Sequence, residues 1–260
     1  MISIGSAQID AWIAAFVYPL ARIMAFIAAA PLWSTAGIPR QTRLILGMAI
    51  TVAIVPVLPE MPKVEPASLS GLWIMFQQML IGIGMGFAAR IVFTAFDLAG
   101  EFIGFQMGLG FATFYDPLRG SQTPVIAEFI GLVALLLFLS MNGHLLYFAT
   151  LAQSFSAIPI SITPLGVNSW LNLAELGGKI FSAGLLLSLP VVVALMITNI
   201  ALAVLTRAAP QLNIFALGFP LTLIGGFFAL AISLNYLASP IQAVFEMGLS
   251  AMLGFAVPTR

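Results

Sequence analysis

The sequence predicts an all-α membrane protein with about six apolar helices, some of them kinked. Three observations predict this class. Hydrophobic residues make up 61% of the 260-residue chain, charged residues only 7%, and the mean hydropathy is +1.11, whereas soluble domains carry about 25% charged residues. Several apolar runs approach or exceed the ~20 residues that an α-helix needs to cross a bilayer. Prolines and glycines interrupt these runs, so we expect bent helices.

The composition also excludes several classes of function. Nine basic and nine acidic residues cancel, so no net positive field attracts nucleic acid. The chain has no cysteine and one histidine, which leaves no thiolate chemistry and no multi-histidine metal site. Zincin, nucleophile-elbow, P-loop and dinucleotide motifs are absent. We therefore expect a protein that is not an enzyme, needs no cofactor or metal and binds no nucleic acid.

The first predicted span runs from Ala11 to about Trp33 and contains one charge, Arg22. Ionisable side chains inside a span usually face protein or water, so Arg22 is expected to be buried in protein or to snorkel. A basic turn then leads into a shorter apolar run from Leu44 to Leu58. Prolines between Pro56 and Pro66 predict an extended, exposed connector.

The next helix is predicted to start near Ser70 and to be apolar from Leu72 to Phe96. Glycines and charged residues recur along it every three or four residues, which places them on one helical face. Small residues at this spacing let helix backbones approach closely in a membrane. This face packs either inside the protein's own bundle, with Arg90 paired to a carboxylate, or against neighbouring subunits or an aqueous path. The positions predicted for helix packing and subunit contact are Gly82, Gly86, Arg90, Asp97, Gly100, Glu101, Gly104 and Gly108.

A nearly uniform apolar run from Val125 to about Phe148 predicts the fourth span, which residues 149–157 could continue. A polar stretch from Asn168 to Lys179 is expected to be a solvated helix face, because Glu175 and Lys179 stand four residues apart.

Two uncharged spans are predicted next, from Ile180 to Thr206 and from Ile214 to Leu237, with the polar hinge Arg207–Asn213 between them. Pro190 is expected to kink the first of them rather than end it. From Ile241 onward, apolar residues at helical spacing predict an amphipathic helix that lies against another surface.

These features leave two functional hypotheses open. Broken helices are typical of secondary transporters, whose substrate sites lie at half-helix ends. Glycine-stepped faces instead favour a structural subunit that packs against other chains of a channel. A transporter of this kind would show symmetry between two halves, and no such repeat is visible in the sequence.

Several blocks of residues carry a resemblance to a known family: GFQMGLGFA at 104–112, DP at 116–117, QTPVI at 122–126, NGHLL at 142–146, LTRAAPQLNIF at 205–215 and GFP at 218–220. In these blocks the chain resembles FliR, the family of flagellar export-gate subunits that is related to the SctT proteins of injectisomes. The resemblance extends from Ala11 to about Tyr236.

The resemblance implies a fold with a FliP-like part at residues 1–179, a FliQ-like helical hairpin at 180–237 and an amphipathic carboxy-terminal helix at 238–260. It further implies an assembly with FliP and FliQ, contact with FlhB, and a place in the bacterial inner (cytoplasmic) membrane at the flagellar basal body. Unfolded flagellar subunits would pass through the channel of this assembly. The hairpin hinge would consist of Arg207, Pro210, Gln211 and Asn213.

The family places a loop that plugs the closed channel at the position of residues 108–124, which we call the central segment. Aromatic side chains on a glycine-rich backbone make a bulky barrier that can bend. The alternative is that these aromatics only pack between helices. An injectisome export-apparatus subunit and a secondary transporter stay open as other functions. The residues predicted to form the pore plug are Met107, Phe111, Phe114, Tyr115, Asp116 and Pro117.

Overall fold

A computed structural model describes residues 6–34, 37–59, 61–62, 64–110, 124–163, 166–209 and 214–256. In this part of the chain all regular secondary structure is helical. This confirms the predicted fold class. In these ranges the α-helices are α1 (Ser6–Ala29), α2 (Arg40–Ile54), α3 (Leu69–Gln106), α4 (Val125–Ser140), α5 (Gly143–Ala157), α6 (Val167–Ala208) and α7 (Ile214–Ala256), and a 3₁₀ helix at Val55–Val57 follows α2.

Five segments within the described residues are long and apolar enough to cross a membrane, and α4 with α5 makes a sixth if the pair is one broken span. The expected number of about six is therefore confirmed. The five segments are Gln8–Ala29, Arg40–Val57, Leu69–Gln106, Asn168–Ala208 and Leu217–Phe255.

Contacts divide the chain into two compact units. The first unit comprises residues 1–91, 143–177 and 247–260, and the second comprises residues 92–142 and 178–246. The helices α3, α6 and α7 contribute to both units.

In the first unit α1 and α3 run in the same direction. Gly82 of α3 lies against the backbone of Arg22, and Gly86, one turn further on, lies against Phe26 and Ala29. Because α1 and α3 are parallel, the chain must cross back between the end of α1 and the start of α3. The helix α2 and the connector after it provide this return. The helix α2 packs on α1 only lightly, and its buried residues are Gly47 and Thr51.

The helix α5 runs antiparallel to α1 in the same unit. Near the end of α1 the ring of Trp33 lies 4.7 Å from the ring of Phe148. Further back along α1, Arg22 reaches Ser154 of α5. The core of this unit is thus formed by one face each of α1, α3 and α5.

In the second unit the last part of α3 runs antiparallel to α4 and to α7. Four phenylalanines join the three helices: Phe93 and Phe96 of α3, Phe138 of α4 and Phe245 of α7. Their ring centroids lie between 5.0 Å for Phe138–Phe245 and 6.1 Å for Phe93–Phe96. Aromatic pairs at such distances add to the gain from burial itself.

The run from Val125 to Phe148 is not one continuous helix, because the chain bends by 68° between α4 and α5. Asn142 adopts a left-handed backbone with φ 57°, and its amide donates to the carbonyl of Leu139 at 3.1 Å. Asparagine tolerates this conformation better than most residues, so it can end a helix where glycine would otherwise be needed. The residues on both sides of the Asn142-Gly143 pair are mostly apolar, and hydropathy alone does not reveal the break.

The helix α7 continues through the predicted boundary at residue 238 and contains Pro220 and Pro240. The apolar stripe from Ile241 is present as predicted, and within its own unit it is buried: Ile241 is 1% exposed and Phe245 3% exposed. Its polar side, with Gln242 and Glu246, is exposed. This stripe therefore packs on the protein itself.

Candidate functional site

The central segment begins where α3 ends, and a glycine cap fixes that end. The amide of Leu109 donates to the carbonyl of Gly104 at 3.0 Å, and the amide of Gly108 donates to the carbonyl of Phe105 at 3.0 Å. Gly108 itself has φ 83°. This pair of hydrogen bonds with a left-handed glycine is the Schellman motif. Gly108 was predicted to extend the packing face of α3, and the structure corrects this: it terminates the helix.

Met107, the residue before the cap, is fixed to α7. Its side chain is fully buried and lies against Gly226, where an added Cβ would stand 2.5 Å from the Met107 Cγ. Its backbone carbonyl, one of those that a helix end leaves without an intrahelical partner, accepts a hydrogen bond from the Thr222 hydroxyl at 3.2 Å. Met107 therefore anchors the start of the central segment, and its burial does not fit direct contact with a passing chain.

A cavity of about 360 Å³ lies beside this anchor, between the end of α3 and the tip of the hairpin formed by α6 and α7. Its polar lining includes Gln106, Asn199 and Thr222. Within the described part of the chain, the side-chain amide groups of Gln106 and Asn199 make no hydrogen bond. The other predicted plug residues, Phe111, Phe114, Tyr115, Asp116 and Pro117, lie outside the described residues.

The glycines of α3 pack closely against other helices at two levels along α3, the first against α1 and the second against α4. At the first level, a Cβ added to Gly82 would stand 2.8 Å from the Ala25 Cβ, and one added to Gly86 would stand 2.7 Å from the Ala29 Cβ. At the second level, a Cβ added to Gly100 would stand 2.6 Å from the backbone nitrogen of Ala127. Real Cβ atoms do not approach so closely, so all three positions exclude a larger side chain.

Gly104 differs from these three, since an added Cβ there would meet Ile126 at an ordinary 3.9 Å. Sequence reasoning missed a further contact of this kind. Gly184 of α6 lies against Ala95 and Leu98 of α3, and an added Cβ would stand 2.9 Å from the Ala95 carbonyl oxygen. The spacing pattern on α3 alone could not reveal this glycine on another helix.

The predicted charged residues do not share the environment of the glycines. Arg90 and Asp97 are exposed and Glu101 is half-buried, while Gly82, Gly86, Gly100 and Gly104 are buried. The expected single stripe is therefore corrected. The helix α1 covers one pair of glycines and α4 the other pair, and the exposed charges lie between these two levels.

The hinge between α6 and α7 is described only on its α6 side. The helix α6 ends at Ala208, and the amide of Ala209 donates to the carbonyl of Leu205 at 2.9 Å. Arg207, in the last turn, is exposed, and a cation at this end of a helix suits the helix dipole. Pro210, Gln211 and Asn213 lie outside the described residues.

Arg22 is a buried cation. The sequence indicates that it lies inside a span but does not indicate which residues it binds. It is 0% exposed. Its guanidinium donates to Gln78 Oε1, to the Ser154 hydroxyl at 3.1 Å and to the Ile158 carbonyl at 2.9 Å, and it lies 4.2 Å from the centroid of the Phe155 ring. Within the described ranges no carboxylate pairs with it. Of the two expectations, burial in protein is confirmed and snorkelling is wrong.

The described residues contain no group of three histidine, cysteine, aspartate or glutamate side chains that could hold a metal ion. The site residues described above pack against neighbouring helices, form hydrogen bonds and carry charge. Such groups can position segments and bind other chains.

Comparison with known proteins shows one family throughout. A family model described as bacterial export proteins, family 1, matches residues 13–248. The flagellar biosynthetic protein FliR of Pectobacterium carotovorum subsp. carotovorum is 42% identical over 234 residues, which cover 90% of this chain and 89% of the relative. The FliR protein of Escherichia coli strain K12 is 42% identical over 246 residues, covering 95% and 94%. That of Bacillus subtilis strain 168 is 30% identical over 241 residues, covering 92% and 93%.

Proposed function

Because this chain belongs to the FliR family of bacterial export proteins, we propose that it is a structural subunit of the flagellar type III protein export gate. The match over residues 13–248 carries the proposal, since it includes α3, the central segment and the α6–α7 hairpin. In this proposal the protein assembles with FliP and FliQ and contacts FlhB. The assembly lies in the bacterial inner membrane at the flagellar basal body and forms the channel through which unfolded flagellar subunits are secreted.

The exposed face of α3 supports an assembly role. On this face Ile83 and Phe87 are 45% and 48% exposed, and Arg90 and Asp97 follow at helical spacing. Charged side chains within a membrane span are costly unless protein or water surrounds them. In the proposal a neighbouring subunit covers Arg90 and Asp97, and Glu101 extends the same contact.

The hairpin supports the same role. The helices α6 and α7 are long and uncharged from Ile180 to Thr206 and from Leu217 to Leu237. In the proposal this hairpin packs beside FliQ-like hairpins of the assembly, and the hinge of Arg207, Pro210, Gln211 and Asn213 forms a contact at its tip.

The central segment is proposed to plug the closed channel. Its start is well suited to this task, since Gly108 caps α3 and Met107 is anchored to Thr222 and Gly226. A loop that must obstruct a passage needs a fixed attachment, because otherwise a pressure on the loop would unravel the helix end. Phe111, Phe114 and Tyr115 are the proposed obstructing side chains, with Asp116 and Pro117 supplying a turn.

Copurification with tagged FliP and FliQ of the same organism tests the proposed assembly. The full chain is expected to elute with both proteins as one complex. Neutralising the α3 face with Arg90→Gln and Asp97→Asn is expected to reduce the yield of complex severalfold. Glu246→Gln is the matched control, because Glu246 is exposed on α7 and bonded only to Gln242 among described residues.

Two outcomes would contradict this function. One is a chain that elutes alone while FliP and FliQ associate without it. The other is a monodisperse chain that catalyses solute uptake into liposomes, which would favour a secondary transporter.

A further inference from the structure

The hydroxyl group of Thr222 lies between two carbonyl groups. It stands 3.2 Å from the Met107 carbonyl at the end of α3 and 3.0 Å from the Phe219 carbonyl of its own helix, α7. A threonine hydroxyl has one proton to donate, and Thr222 is only 7% exposed, so water has little access to the group. The two carbonyls therefore compete for one buried donor.

The two carbonyls differ in what else they bind. The Phe219 carbonyl lies inside α7, where the amide four residues further along also donates to it. The Met107 carbonyl lies just past the end of α3, and Thr222 is its only partner among the described residues. Donation to Met107 satisfies an otherwise unpaired carbonyl, whereas donation to Phe219 is the local bond that threonine commonly makes within a helix. The two arrangements thus differ by about one hydrogen bond.

The cavity beside the end of α3, about 360 Å³ in volume, offers other partners to the Met107 carbonyl. Gln106 and Asn199 line it, and so does Gly108. The side-chain amide groups of Gln106 and Asn199 each carry a carbonyl oxygen and two N–H donors, and within the described part of the chain they make no hydrogen bond. The cavity therefore holds both unused donors and unused acceptors.

The peptide group that joins Met107 to Gly108 is able to turn. Gly108 has φ 83°, and half a turn of this peptide group brings φ to the negative side, which glycine adopts about as readily. The turn moves the Met107 carbonyl away from Thr222. It also moves the Gly108 amide away from the Phe105 carbonyl, to which it donates at 3.0 Å. The unused amide groups of the cavity supply a donor and an acceptor in exchange.

We infer that Thr222 is a latch with two positions for the end of α3. In the latched position its hydroxyl donates to the Met107 carbonyl. In the released position the hydroxyl donates to Phe219, and the Met107–Gly108 peptide group turns towards the amide groups of the cavity. The latch sets how firmly α7 holds the residue at which the central segment begins. It lies within the second unit of this chain, so it goes beyond the proposed assembly and does not depend on it.

NMR spectroscopy of the purified full chain in detergent micelles tests the inference. Methionine with an isotope-labelled carbonyl carbon and glycine with an isotope-labelled nitrogen make only Met-Gly peptide groups visible in a carbonyl–amide correlation spectrum. The sequence contains three such groups: Met85–Gly86, Met107–Gly108 and Met247–Gly248. The first and third lie inside α3 and α7, and each is expected to give one signal. The Met107–Gly108 group is expected to give two signals, one for each position of the latch.

Thr222→Val removes the donor that holds the Met107 carbonyl. It is expected to raise the share of the released signal about fivefold, which corresponds to the loss of one hydrogen bond between neutral groups. Thr198→Val is the matched control, because among the described residues the Thr198 hydroxyl bonds only to the Ala194 carbonyl of its own helix. This variant is expected to leave the shares of the two signals unchanged.

Asn199→Leu tests the released position. It removes a partner of the turned peptide group at similar side-chain size, and it is expected to lower the share of the released signal about fivefold. Asn235→Leu is the matched control, because Asn235 is exposed on the same hairpin but does not line the cavity. The signals of Met85–Gly86 and Met247–Gly248 verify in each variant that α3 and α7 are folded.

Three results would overturn the inference. A single Met107–Gly108 signal in both the parent chain and Thr222→Val shows a fixed helix end. Two signals whose shares are the same in the parent and in Thr222→Val show a motion that Thr222 does not control. Shares that respond to Thr222→Val but not to Asn199→Leu show that the released peptide group does not turn into the cavity. None of these results bears on the assembly with FliP and FliQ, because neither protein is in the sample.

Discussion

The guanidinium group of Arg22 donates two hydrogen bonds to a single oxygen, Oε1 of Gln78, at 2.8 Å from Nε and 2.5 Å from Nη2. Further bonds to Ser154 and to the Ile158 carbonyl tie α1 and α3 to the end of α5. The whole group is buried, with Gln78 1% exposed and Ser154 0% exposed. A buried cation depends on each of its neutral acceptors when no carboxylate compensates its charge, and none among the described residues pairs with Arg22.

Gln78→Leu is therefore expected to destabilise the chain by about 3 kcal/mol, because the bond to a charged donor is lost and the cation stays buried. The neighbouring Gln77→Leu is the control. Gln77 is also buried, but its amide donates to the neutral Ile162 carbonyl at 3.1 Å, so its loss costs about 1 kcal/mol. Thermal unfolding of the full chain in one detergent measures both.

Arg22→Met combined with Gln78→Leu completes the test of this pair. The double variant is expected to be more stable than the sum of the two single effects by at least about 1 kcal/mol, since an apolar pair leaves neither partner unsatisfied. Additive effects, or equal losses for Gln77→Leu and Gln78→Leu, would contradict a direct Arg22–Gln78 dependence.

The second prediction compares two glycines one turn apart on α3. At Gly100 an added Cβ meets the backbone of Ala127, whereas at Gly104 it meets only the Ile126 side chain at 3.9 Å. Gly100→Ala is expected to lower the stability by about 1–3 kcal/mol, because α4 must move away. Gly104→Ala is expected to be neutral or to stabilise by up to about 1 kcal/mol through helix propensity. A reversed order in thermal unfolding would contradict the observed α3–α4 packing.

Helices and their small-residue faces could be predicted from sequence, because apolar run length and glycine spacing act locally. The partners of those faces could not. Gln78 lies inside an apolar run and has no local signal, and its interaction with Arg22 depends on how α1 and α3 pack. The break at Asn142 did carry a signal, the Asn-Gly pair, but uniform apolarity on both sides concealed it. The Gly108 cap could not be predicted either, because glycine spacing does not distinguish a packing position from a helix terminus.

The third prediction concerns the anchor of the central segment. Thr222→Val removes, at nearly constant volume, the hydroxyl that lies 3.2 Å from the Met107 carbonyl and 3.0 Å from the Phe219 carbonyl of its own helix, and we expect a loss of about 1 kcal/mol. Thr198→Val is the control, because among the described residues the Thr198 hydroxyl bonds only to a carbonyl of its own helix, and Thr198 is half-buried. Hydrogen exchange at residues 105–110 is expected to accelerate in Thr222→Val alone. Unchanged exchange in both variants would show that α7 does not restrain the end of α3.

The fourth prediction concerns the hairpin tip. Arg207 is exposed in the last turn of α6, where it either serves the helix dipole or contacts another subunit. Arg207→Gln is expected to change the stability of the isolated chain by less than about 1 kcal/mol and to lower the yield of the complex with FliP and FliQ. Lys179→Gln, an exposed cation elsewhere on α6, is expected to leave that yield unaltered. An unchanged yield for Arg207→Gln would remove the proposed contact and leave local capping.

The last prediction tests the plug. Residues 111–120 are shortened while Met107 and the Gly108 cap stay in place, so that the end of α3 keeps its hydrogen bonds. If the segment obstructs the closed channel, the assembled complex is expected to conduct ions across a planar bilayer more readily than the parent.

Replacing Phe111, Phe114 and Tyr115 by serine tests the aromatic side chains at full length, because bulk is lost while the glycine-rich backbone remains. Ser121→Ala with Gln122→Ala is the control in the same segment. Complexes of normal yield that are no leakier than the parent in either variant would contradict the plug and favour aromatics that only pack between helices.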